Sequence, residues 1–213
     1  MHAYVLLDRS GSMQSLWVEA LSSVNAYAKE LANRQDGDAV DSYVTLAVFD
    51  GQEGLQFDTL RQKVPALHWE NVTDAEASPR GMTPLLDALV RIIALADADN
   101  PQKAVIVVMT DGQENASKEV TRDGVKAALD RVKAKGWEVV FLGANFDNIS
   151  DADSVGVGGS KQMAMSAGTM NESMSRLAKK ARSYASMAPG AAPIEFDQED
   201  RAVAKEANIK NKS

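Results

Sequence analysis

The feature that most constrains the fold is an unbroken apolar run, Ala104–Met109, which ends on Thr110-Asp111-Gly112. The run contains no polar residue and is bounded by turn-forming residues, so it predicts a strand that is buried on both faces. Strands of this kind occur almost only in parallel sheets whose two faces are covered by helices.

Shorter segments of the same character predict further strands, and a turn at Asp50-Gly51 predicts an antiparallel partner at the sheet edge. The predicted strands are Ala3–Leu7, Tyr43–Phe49, Leu55–Leu60, Trp137–Leu142 and Lys161–Met165, with Val64–Trp69 as a further short candidate. We therefore expect a doubly wound α/β domain with a mostly parallel sheet, helices on both faces and one antiparallel edge.

Apolar residues at steps of three and four predict helices between these strands, beginning near Met13, Thr83, Lys118 and Met170. Thr83 is the expected N-cap of the second helix and Pro84 its first residue. A turn at residues 36–38 and a short helix within 148–155 are also predicted. The apolar period stops after Met187, so we predict a domain over 1–187 and a flexible tail, or at most a docking segment, over 188–213.

The composition excludes several classes of function. The chain has no cysteine, which removes disulfides, thiolate zinc sites and cysteine nucleophiles. Its formal net charge of −7 disfavours nucleic acid as a partner. No run approaches the roughly 20 apolar residues of a membrane span, and no secretory signal is recognisable. We therefore expect a cytoplasmic protein that does not enter a membrane.

Three loops carry oxygen-bearing side chains at places that a doubly wound sheet brings together. They are Asp8-Arg9-Ser10-Gly11-Ser12 after the first strand, Gly81-Met82-Thr83 before a helix, and Thr110-Asp111-Gly112 after the most buried strand. Ligands of such sheets bind beyond the carboxyl ends of the strands. Two carboxylates and several hydroxyls suit a hard cation such as Mg²⁺, which prefers oxygen ligands and keeps some of its waters.

The pattern D-x-S-x-S, followed by P-R-G-M-T-P-L-L-D-A-L (Pro79–Leu89) and V-V-M-T-D-G (Val107–Gly112), resembles the von Willebrand factor A domain family. The resemblance extends over roughly residues 1 to 187. The D-x-S-x-S pattern alone is weakly specific, and the combination of the three motifs is strong. The positions that match the family motif are Asp8, Ser10, Ser12, Thr83 and Asp111.

The resemblance implies a metal-ion-dependent adhesion site at the top of the sheet, holding Mg²⁺, or alternatively Mn²⁺ or Ca²⁺. Residues like Ser10, Ser12 and Thr83 would contact the metal directly, and Asp8 and Asp111 would act directly or through water. A carboxylate of a partner protein completes such a site. The implied function is a protein-binding module and not an enzyme. Because it lacks cysteines, the chain resembles intracellular prokaryotic or phage members of the family, some of which serve ATPase-type assemblies.

Simpler roles exist for several of these residues when each is taken alone. Asp8 and Asp111 could be turn formers after strands, and Ser12 and Thr83 could be helix caps. The side chains of Arg9 and Arg80 could receive an acidic partner, although a solvated surface role is favoured for both. Glu114 and Asn115 could lie at the rim of the site.

Two other functional classes remain open. A magnesium-dependent phosphoryl-transfer hydrolase of the haloacid-dehalogenase type would also begin with an aspartate after the first strand, but Ser10 occupies the place of its second aspartate. A metal-independent scaffold is the second alternative. His2 and His68 stand apart from the three loops, and the methionines, including Met163, Met165, Met170 and Met174, are expected to fill the core.

Overall fold

The computed structural model describes residues 1–33, 41–143, 155–188 and 193–210 of the 213-residue chain. The predicted turn at 36–38 and residues 148–154 of the predicted short helix lie outside these ranges. The strands are β1 (His2–Asp8), β2 (Tyr43–Gly51), β3 (Leu55–Pro65), β4 (Ala104–Thr110), β5 (Glu138–Gly143) and β6 (Gln162–Ala164). The helices are α1 (Trp17–Ala32), α2 (Leu85–Asp99), α3 (Arg122–Ala134), α4 (Met170–Ser186), α5 (Gln198–Val203) and α6 (Glu206–Lys210).

The six strands form one sheet in the order β3-β2-β1-β4-β5-β6. All neighbours are parallel except β3, which runs antiparallel to β2 at one edge. The predicted fold class is therefore confirmed, including its single antiparallel edge. The strand order reverses between β1 and β4, because the chain leaves β1 toward β2 and returns to the other side of β1 with β4. This reversal creates the crevice in which such sheets bind ligands.

The central strands are buried on both faces, as the apolar run at residues 104–109 predicts. Ala3, Val5 and Leu7 of β1 pack into a core with α1 and α4, whereas Tyr4 and Leu6 pack into a second core with α2 and α3. Strand β4 contributes to both cores in the same alternating way. Alternation follows from the two-residue period of a strand, so two helical layers can share one sheet.

Several predicted boundaries differ from the observed ones. A short 3₁₀ turn at Gly11–Ser15 precedes α1, so the first helix begins four residues later than its apolar pattern indicates. Strand β3 continues through Pro65 into a 3₁₀ turn at Ala66–His68, and the separate strand predicted for Val64–Trp69 does not form. The third helix begins at Arg122 rather than Lys118, because the preceding backbone N–H groups bind a side chain of α2.

Residues 193–210 fold onto the domain, which differs from the predicted flexible tail and agrees with the alternative of a docking segment. Ile194, Phe196 and Ala204 are buried in the core that contains α1 and α4. Asp200 is 1% exposed and forms ion pairs with Arg176 and Lys180 of α4. The segment carries few apolar residues and no helical period, so its packing leaves little trace in the sequence.

An ion pair of this segment covers the outer edge of β6. Arg201 donates to the carbonyl oxygen of Gln162 over 3.1 Å, and Glu206 accepts a hydrogen bond from the N–H of Ala164 over 3.2 Å. Arg201 and Glu206 also contact each other at 2.7 Å. The two side chains therefore satisfy backbone groups that a seventh strand would otherwise pair.

Among the described residues, no helix is long and apolar enough to cross a membrane.

The buried position of Phe196 generates a test of the docked segment. We expect Phe196→Ala to lower the free energy of unfolding by about 2–4 kcal/mol, because the large side chain leaves a cavity. Gln198→Ala, at an exposed position of the same segment, should change it by less than about 0.5 kcal/mol. Urea denaturation followed by circular dichroism measures both. Equal, small effects of the two substitutions would mean that the segment is detached in solution.

His2 lies at the amino end of β1, far from the predicted metal donors, with 2% of its surface exposed. Its Nε2 atom lies 2.8 Å from Oγ1 of Thr45, and its Nδ1 atom lies 2.8 Å from the hydroxyl of Tyr4. Burial lowers the pKa of His2 to about 4, although the nearby carboxylate of Asp99 opposes this shift. The structural role predicted for this histidine is thus supported by its contacts.

The lowered pKa of His2 predicts a pH dependence of stability. Between pH 6.5 and pH 4 the unfolded chain binds a proton at His2 that the folded protein does not, so acidification favours unfolding. We expect a loss of up to about 3 kcal/mol across this window. His2→Gln should flatten the difference, whereas His68→Gln, which changes an exposed histidine, should retain it. Denaturation midpoints at several pH values measure the slope, and identical slopes for all three proteins would contradict the assignment.

Candidate metal centre

The predicted donor residues lie at the carboxyl ends of the two central strands. Asp8 is the last residue of β1, and Thr110 and Asp111 stand at the end of β4, the neighbouring strand across the reversal in strand order. Because both strands are parallel, their carboxyl ends open onto the same edge of the sheet. The location predicted from the sequence is therefore the location at which the three loops meet.

Asp8 is fully buried, and hydrogen bonds hold both of its carboxylate oxygens. Oδ1 accepts from the backbone N–H of Ser10 over 2.6 Å, and Oδ2 accepts from the hydroxyl of Thr110 over 2.6 Å. Burial raises the pKa of Asp8 to about 6, and these hydrogen bonds oppose the shift. A cation placed beside this carboxylate would favour its charged form.

The two serines connect Asp8 to Asp111 across the site. The hydroxyls of Ser10 and Ser12 lie 3.0 Å apart, and Ser12 donates to Oδ1 of Asp111 over 2.7 Å. Burial also raises the pKa of Asp111, against the hydrogen bond from Ser12. Ser10 is buried whereas Ser12 is exposed, so the row of oxygens runs from the interior to the surface.

Gly112 marks the point at which the three loops converge. A Cβ atom added to this residue would lie 2.6 Å from Oγ1 of Thr83, 3.2 Å from Oγ of Ser12 and 3.3 Å from Oδ2 of Asp8. Two oxygens of the Asp8–Ser12 loop and the hydroxyl of Thr83 therefore surround one small space beside Gly112, which the absence of a side chain at this residue keeps open. The structure brings all five predicted donors together, three around this space and two hydrogen-bonded to them.

Thr83 does not cap α2, contrary to the prediction from sequence. Pro84 occupies the N-cap position, and its side chain accepts no hydrogen bond from the first turn of the helix. Instead, the N–H of Leu86 donates to Glu114 over 2.9 Å and to Ser117 over 3.1 Å, both from the loop after β4. The helix end is thus satisfied from another loop, and the hydroxyl of Thr83 can face the predicted metal.

The loop that carries Asp111 and the helix that follows Thr83 hold each other in place. The backbone N–H of Thr83 donates to Oδ1 of Asn115 over 2.9 Å, and the N–H of Asn115 donates to the carbonyl of Thr83 over 3.2 Å. In return, the buried carboxylate of Asp87 on α2 accepts from the N–H groups of residues 118–120. These contacts fix the distance between two of the three donor loops.

Some of these supporting residues could be suspected from the sequence and others could not. The sequence makes Glu114 and Asn115 candidates for the rim of the site, and the structure shows that they anchor the Thr83 segment. Asp87 is an acidic residue on an otherwise apolar helix face, which is a recognisable signal for a buried hydrogen-bonding role. Ser117 and the hydroxyl of Thr110 carry no such signal, because Leu86 and Asp8, to which they bind, are distant in the sequence.

Arg9 is not a solvated surface residue, contrary to the favoured interpretation. It is 5% exposed, and its guanidinium contacts Oδ2 of Asp50 and Oδ2 of Asp58, each at 2.5 Å. Arg80 is exposed as expected, although its Nε atom also contacts Asp50. The four methionines near the C-terminus are buried in the core, as predicted.

The donor set is rich in hydroxyls and poor in charge. Within the described residues, no cluster of three or more His, Cys, Asp or Glu side chains could hold a metal ion. A cation at this site would therefore meet two carboxylates and three hydroxyls, all of them hard oxygen donors. Such a set suits a divalent cation that retains water ligands and part of its positive charge.

Comparisons with known proteins agree with this architecture. The family model described as the von Willebrand factor type A domain matches residues 3–185 of the chain. A comparison with curated protein sequences gives no significant match.

Three solved structures illustrate the similarity of fold. A von Willebrand factor type A protein from Catenulispora acidiphila is 15% identical, with a TM-score of 0.55 over 85% of this chain and 42% of that one. The manganese-loaded TRAP protein of Plasmodium vivax is 16% identical, with a TM-score of 0.54 over 82% and 70%. The mussel byssus proximal thread matrix protein 1, with a zinc-occupied MIDAS motif, is 19% identical, with a TM-score of 0.55 over 86% and 47%.

This chain thus spans less than half the length of two of these three structures. At these levels of identity the likeness concerns the fold alone. The family model, by contrast, covers most of the chain and includes every residue of the candidate site. The chain therefore belongs to the von Willebrand factor type A domain family.

Proposed function

We propose that this protein is a metal-dependent binding module that receives an acidic side chain of a partner protein at a Mg²⁺ ion. The ion would be held by Asp8, Ser10, Ser12, Thr83 and Asp111. The observation that carries the proposal is the convergence of Thr83, Ser12 and Asp8 oxygens around Gly112, with Asp111 hydrogen-bonded to Ser12. Metal-loaded relatives with manganese or zinc support a divalent cation at such a site.

The charge of the site explains why a carboxylate is the proposed ligand. If the three hydroxyls are direct ligands and the two carboxylates act partly through water, the cation keeps part of its positive charge, because the hydroxyls bring none. The cation would therefore attract an anionic oxygen at a coordination position left to water. A protein carboxylate is favoured over nucleic acid because the chain carries a net charge of −7.

We propose no catalytic reaction at this site. A hydrolase of the phosphoryl-transfer type would need an acid or base beside the first aspartate, and Ser10 stands at that position. The neighbouring basic side chain, Arg9, is engaged with Asp50 and Asp58. These contacts favour a binding role, and the absence of hydrolysis of a generic phosphate ester would agree with it.

Metal titration tests the donor set. By calorimetry we expect saturable binding of Mg²⁺ or Mn²⁺ to the wild-type protein, and Asp111→Ala should weaken it about ten-fold or more. Gly112→Ala should have a similar effect, because its Cβ atom would displace the Thr83 hydroxyl.

Asp130→Ala provides the matched control, since it removes an exposed carboxylate from α3. It should bind metal as the wild type does, and circular dichroism should show that all variants remain folded. Wild-type affinity in both Asp111→Ala and Gly112→Ala would contradict the assigned site and favour the metal-independent scaffold.

A second experiment tests the proposed ligand. The relaxation rate of water protons in a solution of the Mn²⁺-loaded protein should fall when acetyl-glutamate amide is added, because its carboxylate replaces a metal-bound water. Acetyl-glutamine amide, which has the same shape without the charge, should leave the relaxation rate unchanged. Equal effects of the two compounds would show that the metal does not accept an external carboxylate.

A further inference from the structure

Backbone hydrogen bonds hold the segment from Arg80 to Met82 against the loop formed by residues Asp8–Ser12. The N–H of Arg80 donates to the carbonyl of Arg9 over 2.7 Å, and the N–H of Gly11 donates to the carbonyl of Gly81 over 3.1 Å. Met82 and Gly51 exchange two further backbone hydrogen bonds of 3.1 and 2.8 Å. The segment therefore lies between the Asp8–Ser12 loop and the end of β2. The exposed side chains of Arg80 and Met82 adjoin this donor loop.

The side chain of Arg80 is oriented from one side only. Its Nε atom donates to Oδ2 of Asp50 over 3.2 Å, and the same oxygen accepts from Arg9. Asp50 is completely buried, so its carboxylate has little freedom to move. It therefore holds the Nε end of the Arg80 guanidinium in one place. The side chain of Arg80 nevertheless remains 44% exposed.

The outer half of this guanidinium is available to a ligand. No described residue accepts a hydrogen bond from the two terminal nitrogens of Arg80. These nitrogens carry four of the five N–H donors of the side chain, in a planar geometry that matches a carboxylate. A guanidinium that is anchored at Nε and free at its outer edge is preorganised for a bidentate contact.

We propose that Arg80 is a specificity-determining residue that selects partner segments carrying two acidic side chains. One carboxylate would bind the metal and the second would bind the terminal nitrogens of Arg80. The inference rests on the proposed function, since it needs a metal-bound carboxylate as the first contact. It adds a second contact that the metal donors do not supply, and it defines the partner as an acidic segment rather than a single acidic residue.

The local charges support this division of roles. The candidate site contains Asp8 and Asp111, while Asp58 binds Arg9 and Glu114 binds the N–H of Leu86, so an acidic segment meets repulsion from these carboxylates. Arg9 cannot offset this repulsion, because it is buried between Asp50 and Asp58. A bound metal and the exposed outer nitrogens of Arg80 would both offer positive charge to such a segment.

The test uses Mn²⁺-loaded protein and short blocked peptides. Each two-glutamate peptide has its second glutamate one, two or three positions after the first, and its control has glutamine at that second position. Affinities come from water-proton relaxation. We expect the wild-type protein to bind at least one two-glutamate peptide about two- to five-fold more tightly than its control, the range of an exposed ion pair. Arg80→Gln should abolish this preference.

Two control variants separate the effect from general changes of charge or loop structure. Arg91→Gln removes the same charge from an exposed position of α2, and Met82→Ala changes an exposed side chain of the same segment. Both should keep the preference. The proposal is overturned if the wild type shows no preference, or if Arg80→Gln keeps it. Failure of the proposed function looks different, because then no peptide, with one glutamate or two, alters the relaxation of the Mn²⁺ complex.

Discussion

The structure of the candidate site depends on one buried carboxylate, that of Asp8. An ionised carboxylate inside a protein costs several kcal/mol unless it is hydrogen-bonded or paired with a cation. Hydrogen bonds from Ser10 and Thr110 meet part of this requirement, and they connect the end of β1 to the end of β4. The remaining requirement is one that a cation satisfies directly.

The loops are held by contacts outside the set of oxygen donors. Asn115 binds the backbone of Thr83, and Asp87 binds the backbone of the loop that follows Asn115. Each loop thus satisfies backbone groups of the other through hydrogen bonds between protein atoms. A site built in this way has little ordering left to do when it takes up a ligand, which favours affinity.

The sequence predicts the fold, and it predicts that the candidate donor residues lie close together, because both leave local patterns. The apolar run at 104–109 and the helical periods identify the layers, and the spacing of Asp8, Ser10 and Ser12 identifies a loop whose oxygens can share one point. Contacts between distant residues leave no such pattern. Arg9 becomes a buried residue only because Asp50, 41 positions away, is buried beside it.

The role of Thr83 shows a second reason for error. Threonine before proline is a good helix start, and the same residue type is a good metal donor, so the sequence cannot separate the two roles. In the structure Glu114 and Ser117 satisfy the helix end, so Thr83 does not act as its cap. The C-terminal segment was missed for a different reason: it packs through three apolar side chains and several ion pairs, too few to form a period.

The ion pair between Arg201 and Glu206 has a consequence for the behaviour of the protein in concentrated solution. An uncovered strand edge is a template on which a second chain can add, and such addition leads to aggregation. At the opposite edge, β3 carries several charged side chains and ends at Pro65, features that discourage pairing. At the β6 edge, the side chains of Arg201 and Glu206, which follow α4 in the chain, occupy the backbone groups of the strand. The C-terminal helices thus cover the β6 edge, and we expect their removal to expose backbone groups on which a second chain could add.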